Sequence, residues 1–167
     1  MKTAKFIAAL WVAAAFAACG KKDASLKIAG SDTMVQLGQT LAKGYMEANP
    51  DKKVSVQGGG SGTGIAALLN GSTDIASASR EMKPKEWDQA KAKGLDIKEY
   101  IVALDALAVV VHPSNKVAKL TIKQLSDIYA GKVTNWKEVG GDDKEILVIS
   151  RENNSGTHVY FKEHVLR

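Results

Sequence analysis

Three times in this chain a short apolar run ends in a turn of glycine and small hydroxyl residues that opens a helix. The turns are Gly30-Ser31-Asp32-Thr33-Met34, Gly60-Ser61-Gly62-Thr63-Gly64 and Arg151-Glu152-Asn153-Asn154-Ser155-Gly156-Thr157. Strand, turn and helix in that order need a crossover back to the next strand, which argues for an α/β fold with a parallel sheet. Leu26 to Ala29 reads as a strand, and Thr33 to Asn49 as an amphipathic helix with Leu37, Leu41 and Tyr45 on one face. Asn49-Pro50 stops it. Val54 to Gln57 is a second strand ahead of a helix running to Asn70. Asp74 to Ser77 is a third strand, and Pro84 to Lys93 a polar-faced helix. Ile101 to His112 is a long apolar run, broken at Asp105 and ended by His112-Pro113. Thr121 to Tyr129 is a helix, Ile146 to Ile149 a strand, and Ser155 opens a last helix. Open parallel sheets hold ligands at the carboxyl ends of their strands, where these turns lie.

The turns share one chemistry. A helix N-terminus leaves N–H groups unpaired and carries about half a positive charge, so it attracts anions. Serine and threonine add donors without adding charge, and glycine lets the backbone come close. Any one of these turns is also an ordinary helix cap, as Asp32 is on its own. Three on one chain, one carrying Arg151 as a bidentate fork, point to an oxyanion cradle. Competing motifs fail on the residues. Ile65 stands where a P-loop needs its lysine, and no Gly-x-Gly-x-x-Gly or Gly-x-Ser-x-Gly pattern fits around Ser61. His112, His158 and His164 lack metal-ligand spacing, and the last two fall on different helix faces. A single cysteine excludes a disulfide framework and a cysteine zinc site. Neither a cofactor nor catalysis is expected.

The amino terminus has its own logic. Met-Lys-Thr-Ala-Lys precedes an apolar run from Phe6 to Ala18, then Cys19. A basic start, a short apolar stretch and small residues before the cut describe an export signal; a membrane span needs about 20 residues. Phe16-Ala17-Ala18-Cys19 resembles a bacterial lipobox, with Phe16 where leucine is usual, so Cys19 is the expected lipidated residue. Gly20 to Ser25 reads as a polar tether. The whole sequence of 167 residues carries +5. Without Lys2 and Lys5, 21 basic residues face 18 acidic ones, a balance of +3 that is too mild to argue for nucleic acid.

A family resemblance rests on particular residues. Ala29-Gly30-Ser31-Asp32-Thr33-Met34, Val56-Gln57-Gly58-Gly59-Gly60-Ser61-Gly62-Thr63-Gly64 and Asp74-Ile75-Ala76-Ser77-Ala78-Ser79-Arg80 resemble the phosphate-binding proteins of high-affinity phosphate ABC transporters. Leu120-Thr121, then Leu125 to Gly131, Asn135-Trp136 and Arg151 to Thr157 fit the same family, in the same order. The resemblance implies a type II periplasmic binding fold, in which two α/β lobes joined by a hinge close on inorganic phosphate. It implies ligands from Thr33, the Met34 amide, Ser61, Ser79 and Arg80 in the first lobe. From the second lobe it implies Arg151, Ser155, Gly156 and Thr157. Tyr129 and Trp136 are expected to pack, and Ile101 to His112 to carry the first crossover between lobes.

Two departures qualify that expectation. Where some family members carry an acidic residue that accepts the proton of hydrogen phosphate and repels sulfate, this chain has Ser79. Asp32 and Asp105 are the candidate replacements. The family's chain also runs on beyond the position of Arg167 and returns to complete the first lobe. The expected organisation is a signal peptide over 1–18, a lipidated tether over 19–25, a partial first lobe over 26–105 and the start of a second over 106–167. The expected partners are inorganic phosphate, ABC permease subunits and, through the lipid anchor, a membrane. The expected place is the periplasm or cell surface, and the expected state a monomer. Two other readings compete: a receptor for sulfate or molybdate, and a phosphate-releasing serine hydrolase. The hydrolase needs a base beside a serine, which the sequence does not offer. A surface adhesin or signalling protein on the same fold would lack a neighbouring permease.

Overall fold

The structure, a computed structural model, describes residues 25–166. The expected signal peptide and Cys19 lie outside the described residues. Strands β1 (Ser25–Gly30), β2 (Lys53–Gln57) and β3 (Ile75–Ser77) form a parallel sheet in the order β2-β1-β3. Ile28 of the central strand stands opposite Val56 on one side and Ile75 on the other. Helix α1 (Val35–Ala48), entered through a 3-10 turn over Asp32–Met34, carries the chain from β1 to β2. Helix α2 (Ser61–Leu69) carries it from β2, past β1, to β3. Right-handed crossovers that travel in opposite directions across a sheet place their helices on opposite faces. The connections after β1 and β2 therefore part company, leaving a crevice at the carboxyl ends of β1 and β3. The Ser31 amide, donating to the Ser77 carbonyl at 2.8 Å, ties those two ends together.

The core under that crevice is small. Ile65 and Leu69 of α2 bury against Ala90 of α3 (Pro84–Ala92), with Ala76, Ala78, Met82 and Ile97 packed around them. Gly64 lets α2 lie directly on β1: a Cβ there would sit 2.5 Å from the Gly30 Cα and 2.9 Å from the Ala29 carbonyl carbon. Lys93 closes the other end of α2, its Nζ donating to the Leu69 carbonyl and the Asn70 Oδ1, each at 2.8 Å.

Helix α1 turns a different face to the sheet from the one its large residues suggest. Ala42 is buried, Gly38 lies against Val56, and the Met46 Sδ accepts from the Val54 amide at 3.3 Å. Leu37, Leu41 and Tyr45 stay exposed. Both stripes have helical spacing, and the small-residue stripe allows the closer approach to the strands.

Beyond α3 the chain forms α4 (Ile122–Tyr129), a 3-10 turn over Trp136–Val139, and α5 (Gly156–Val165). Thr121 and Gln124 cap α4 reciprocally. Ile128 and Val159 are buried, and the Tyr129 and Phe161 rings meet at 4.5 Å. Trp136 is half-buried and crowds Gly141. The apolar runs 101–112 and 146–149 are not strands. Among the described residues the nearby pairing is one antiparallel bridge, Asn135 with Glu145. Leu104 is 92% exposed and Leu147 84%. An apolar run becomes a strand only when a neighbour takes its N–H and C=O groups in succession; here the Thr134 carbonyl takes the Ile146 amide at 2.8 Å and no described segment continues the ladder.

Candidate anion-binding site

The crevice is lined by hydroxyls that hydrogen-bond to one another. Ser31, at the end of β1, donates from its Oγ to the Ser79 Oγ at 3.0 Å and shares a 2.9 Å bond with the Thr33 Oγ1. Ser61, the first residue of α2, accepts from the Ser79 amide at 3.1 Å and shares a 3.2 Å bond with its hydroxyl. Ser31 and Ser61 are buried. Thr33, Ser31, Ser79 and Ser61 thus make one chain linking the end of β1, the segment after β3 and the start of α2. Strand order produces this: β1 and β3 are neighbours, and both open toward the crevice.

The second part of the molecule supplies the roof. A Cβ on Gly156, the first residue of α5, would collide with both the Ser61 and Ser79 hydroxyls. The amino termini of α2 and α5 therefore meet over the same hydroxyls. Ser155 caps α5, is itself buried, and accepts from the His158 amide at 3.4 Å; Thr157 is half-buried behind it. Two helix ends on one spot bring two partial positive charges, the electrostatics of an anion site, although the Gly62 amide is taken by the Asn154 carbonyl and the His158 amide by the Ser155 hydroxyl.

The two arginines behave differently. Arg80 forks onto Glu86, with Nη1 and Nη2 each 2.8 Å from a carboxylate oxygen, and its side chain is only 8% exposed. Nη1 also donates to the Glu81 carbonyl at 2.8 Å. The Arg80 Nε is buried with no partner among the described residues. Glu86 also accepts from the Lys83 amide at 2.7 Å. The hydrogen bond from Arg80 holds its carboxyl below the ordinary glutamate range, against the opposing effect of partial burial. Arg151 donates from Nε to Glu152 and from Nη2 to Asp32, both at 3.0 Å. Asp32 in turn accepts from the Gly59 amide at 2.7 Å. Each arginine is thus balanced by carboxylate, and hydroxyls and amides rather than net charge dominate the site.

Of the residues the sequence suggests, Thr33, Ser61, Ser79 and Gly156 come together, and Arg151 joins through Asp32. The Met34 amide donates to the Ser31 carbonyl at 3.2 Å, so the 3-10 turn occupies it. Asp105 is exposed and takes the Ala106 amide at 2.7 Å instead. Asp32 acts as a bridge between turns, while the turn's cap position falls to Ser31. Sequence reasoning passed over Ser31, Glu86 and Asn154. Ser31 was visible as part of the turn. Glu86 was visible as an acid in the first turn after Lys83-Pro84. Nothing local marked Asn154, whose partners lie more than 90 positions away.

Comparison with known proteins fits this geometry. A family profile described as a PBP superfamily domain matches residues 17–167. The phosphate-binding protein PstS of Bacillus subtilis is 36% identical over 146 residues, covering 87% of this chain and 47% of that protein. A phosphate-bound structure from Clostridium perfringens, of a protein assigned as a phosphate ABC transporter substrate-binding protein, is 38% identical with a TM-score of 0.77. It covers 84% of this chain and 56% of that one. An ABC-type phosphate transport receptor from Vibrio cholerae is 38% identical with a TM-score of 0.68, covering 83% and 54%. The chain thus spans about half the length of the relatives it matches. With a parallel sheet, hydroxyl turns at its carboxyl end and a match along most of its length, the chain belongs to the PBP superfamily, where it is similar to phosphate-binding proteins of ABC transporters.

Proposed function

We propose that this chain is the phosphate-capturing part of an exported receptor that delivers inorganic phosphate to ABC permease subunits. The observation that carries this is the hydroxyl chain Thr33–Ser31–Ser79–Ser61 roofed by the amino terminus of α5. Preorganised hydroxyls and amides replace the water around an oxyanion without leaving a net charge behind. Thr33, Ser61 and Ser79 serve as ligands from the first lobe (26–105), joined by Arg80 through its spare Nε. Arg151, Ser155, Gly156 and Thr157 serve from the second (106–167). An anion held by both sets favours the closed arrangement of the lobes, because only that arrangement offers it every donor. Cys19, lipidated, tethers the exported receptor to a membrane. The relatives are named as binding proteins and a transport receptor, which favours a receptor over a hydrolase.

Phosphate is favoured over sulfate because Asp32 lies at the mouth of the site. Its two oxygens accept from Gly59 and Arg151, and a carboxylate retains further lone-pair sites for the proton that phosphate carries and sulfate lacks. Calorimetry of phosphate binding with sulfate as competitor, on the wild type, Asp32→Asn and Asp105→Asn, tests the reading. Phosphate should win in the wild type and in Asp105→Asn. Sulfate should gain on it in Asp32→Asn by roughly one decade, about 1.4 kcal/mol, as the proton-accepting carboxylate is lost. Effective sulfate competition in the wild type would overturn the phosphate reading.

A further inference from the structure

We infer that Asn154 is a positioning residue, a latch that holds the Arg151–Thr157 turn on the glycine-rich turn and thereby sets how long the anion stays. The inference rests on the proposed phosphate site and names what governs release from it.

The bonds form a compact set. The Asn154 Nδ2 donates to the Gly59 carbonyl at 2.7 Å and lies 3.4 Å from the Thr63 Oγ1 as a second acceptor. The Asn154 carbonyl accepts from the Gly62 amide at 3.1 Å. On the other side of the same residue, the Gly59 amide donates to Asp32, which also holds Arg151. Gly59 therefore has both its N–H and its C=O taken, one by each flank of the crevice. Two of these bonds join Asn154 to residues 91 and 95 positions away. They pin together two turns that belong to different proposed lobes. Neither Asn154 nor Gly59 is among the groups assigned to the anion. The latch therefore adds to ligand-driven closure and does not compete with it. Because it must break before the crevice opens, it acts on the rate of release.

Asparagine suits the task. Its amide donates to a carbonyl and a hydroxyl together, which an aspartate cannot do. A carboxylate at the same place would face the Gly59 carbonyl oxygen and repel it.

The test has two arms on the full chain. The first needs no ligand: hydrogen exchange at the Gly62 amide, followed by NMR in the wild type, Asn154→Ala, Asn154→Asp and the control Asn153→Ala. Removing one exposed hydrogen-bonded pair should speed exchange about 2- to 10-fold in Asn154→Ala, and at least as much in Asn154→Asp. Asn153→Ala should leave it unchanged. In the second arm, stopped-flow release of inorganic phosphate should quicken by a similar factor in both Asn154 variants, with association altered less. Unchanged Gly62 exchange in Asn154→Ala and Asn154→Asp overturns the latch. So does a wild-type release rate retained in both. If exchange responds as expected but the wild type takes up no phosphate, the phosphate reading fails and the latch stands.

Discussion

Arg151 spends two of its five donors on protein carboxylates, Nε on Glu152 and Nη2 on Asp32, which fixes the plane of the guanidinium at the edge of the site. That planar fork is what a lysine cannot reproduce. With Arg151→Lys the charge stays but the geometry goes, and phosphate affinity should fall by one to two decades, about 1.5–3 kcal/mol for one charge-assisted bond. Calorimetry checks this, and an affinity equal to wild type would make Arg151 a structural link to Asp32 and nothing more. Turn chemistry was legible at this scale: Ser61 and Ser155 announced themselves through their neighbours. The partners of Asp32 were not, because an exposed acid in a helix-opening turn reads the same whether it caps its own turn or reaches across to Arg151.

At the scale of the element, α3 is a device for holding Arg80. Pro84 fits the first helical position, and Glu86 both returns to the Lys83 amide and forks onto Arg80. The Glu86 carboxyl is lowered in the folded chain, chiefly by its hydrogen bond from Arg80. Between its folded and unfolded values the unfolded chain binds more protons, so folding stability rises with pH through that window. The contribution is complete above the ordinary glutamate value of about 4.3 and is lost as pH falls through the folded one. Stability of the wild type measured by urea unfolding should therefore fall progressively as pH drops below the ordinary glutamate range. Glu86→Gln should lose this part of the acid dependence. At neutral pH the same substitution leaves a nearly buried guanidinium unpaired and should cost about 3 kcal/mol. A neutral-pH stability equal to wild type would show that the pair contributes nothing.

The whole molecule divides its order unevenly. The sheet carries α1, packed through Gly38 and Ala42, and a separate buried core that α2 and α3 share, whereas residues 95–112 and 115–121 belong to no helix or strand. Segments without ladder or helix bonds open at low free energy. Trypsin should accordingly cut first at Lys98, Lys116 or Lys119, leaving a fragment that keeps β1–β3 and α1–α3; first cuts at Lys43 or Lys91 would contradict this division. Attachment is tested separately. In a bacterial host the wild type should stay with the membrane fraction after a salt wash, and Cys19→Ala should leave it, since lipid insertion depends on the acyl chains and not on charge. Retention of Cys19→Ala would move the anchor elsewhere.

Read alone, the amino-acid sequence determined the parallel α/β plan and the anion chemistry of its turns. Both follow from local rules: glycine and hydroxyl residues at strand ends, apolar runs between helical periods. It did not determine which apolar stripe of α1 meets the sheet, since Leu37-Leu41-Tyr45 and Gly38-Ala42-Met46 have equally helical spacing and only contact with β2 chose the smaller one. Nor did it determine that Ile101 to His112 and Ile146 to Ile149 form no strand among the described residues, because strand formation belongs to a pair of segments and not to one. The junction of Asn154 and Asp32 with Gly59 lay furthest from view. Those bonds exist only where tertiary packing brings Gly59 to hydrogen-bond distance of turns 27 and 95 positions away, and local sequence cannot specify a partner it does not adjoin.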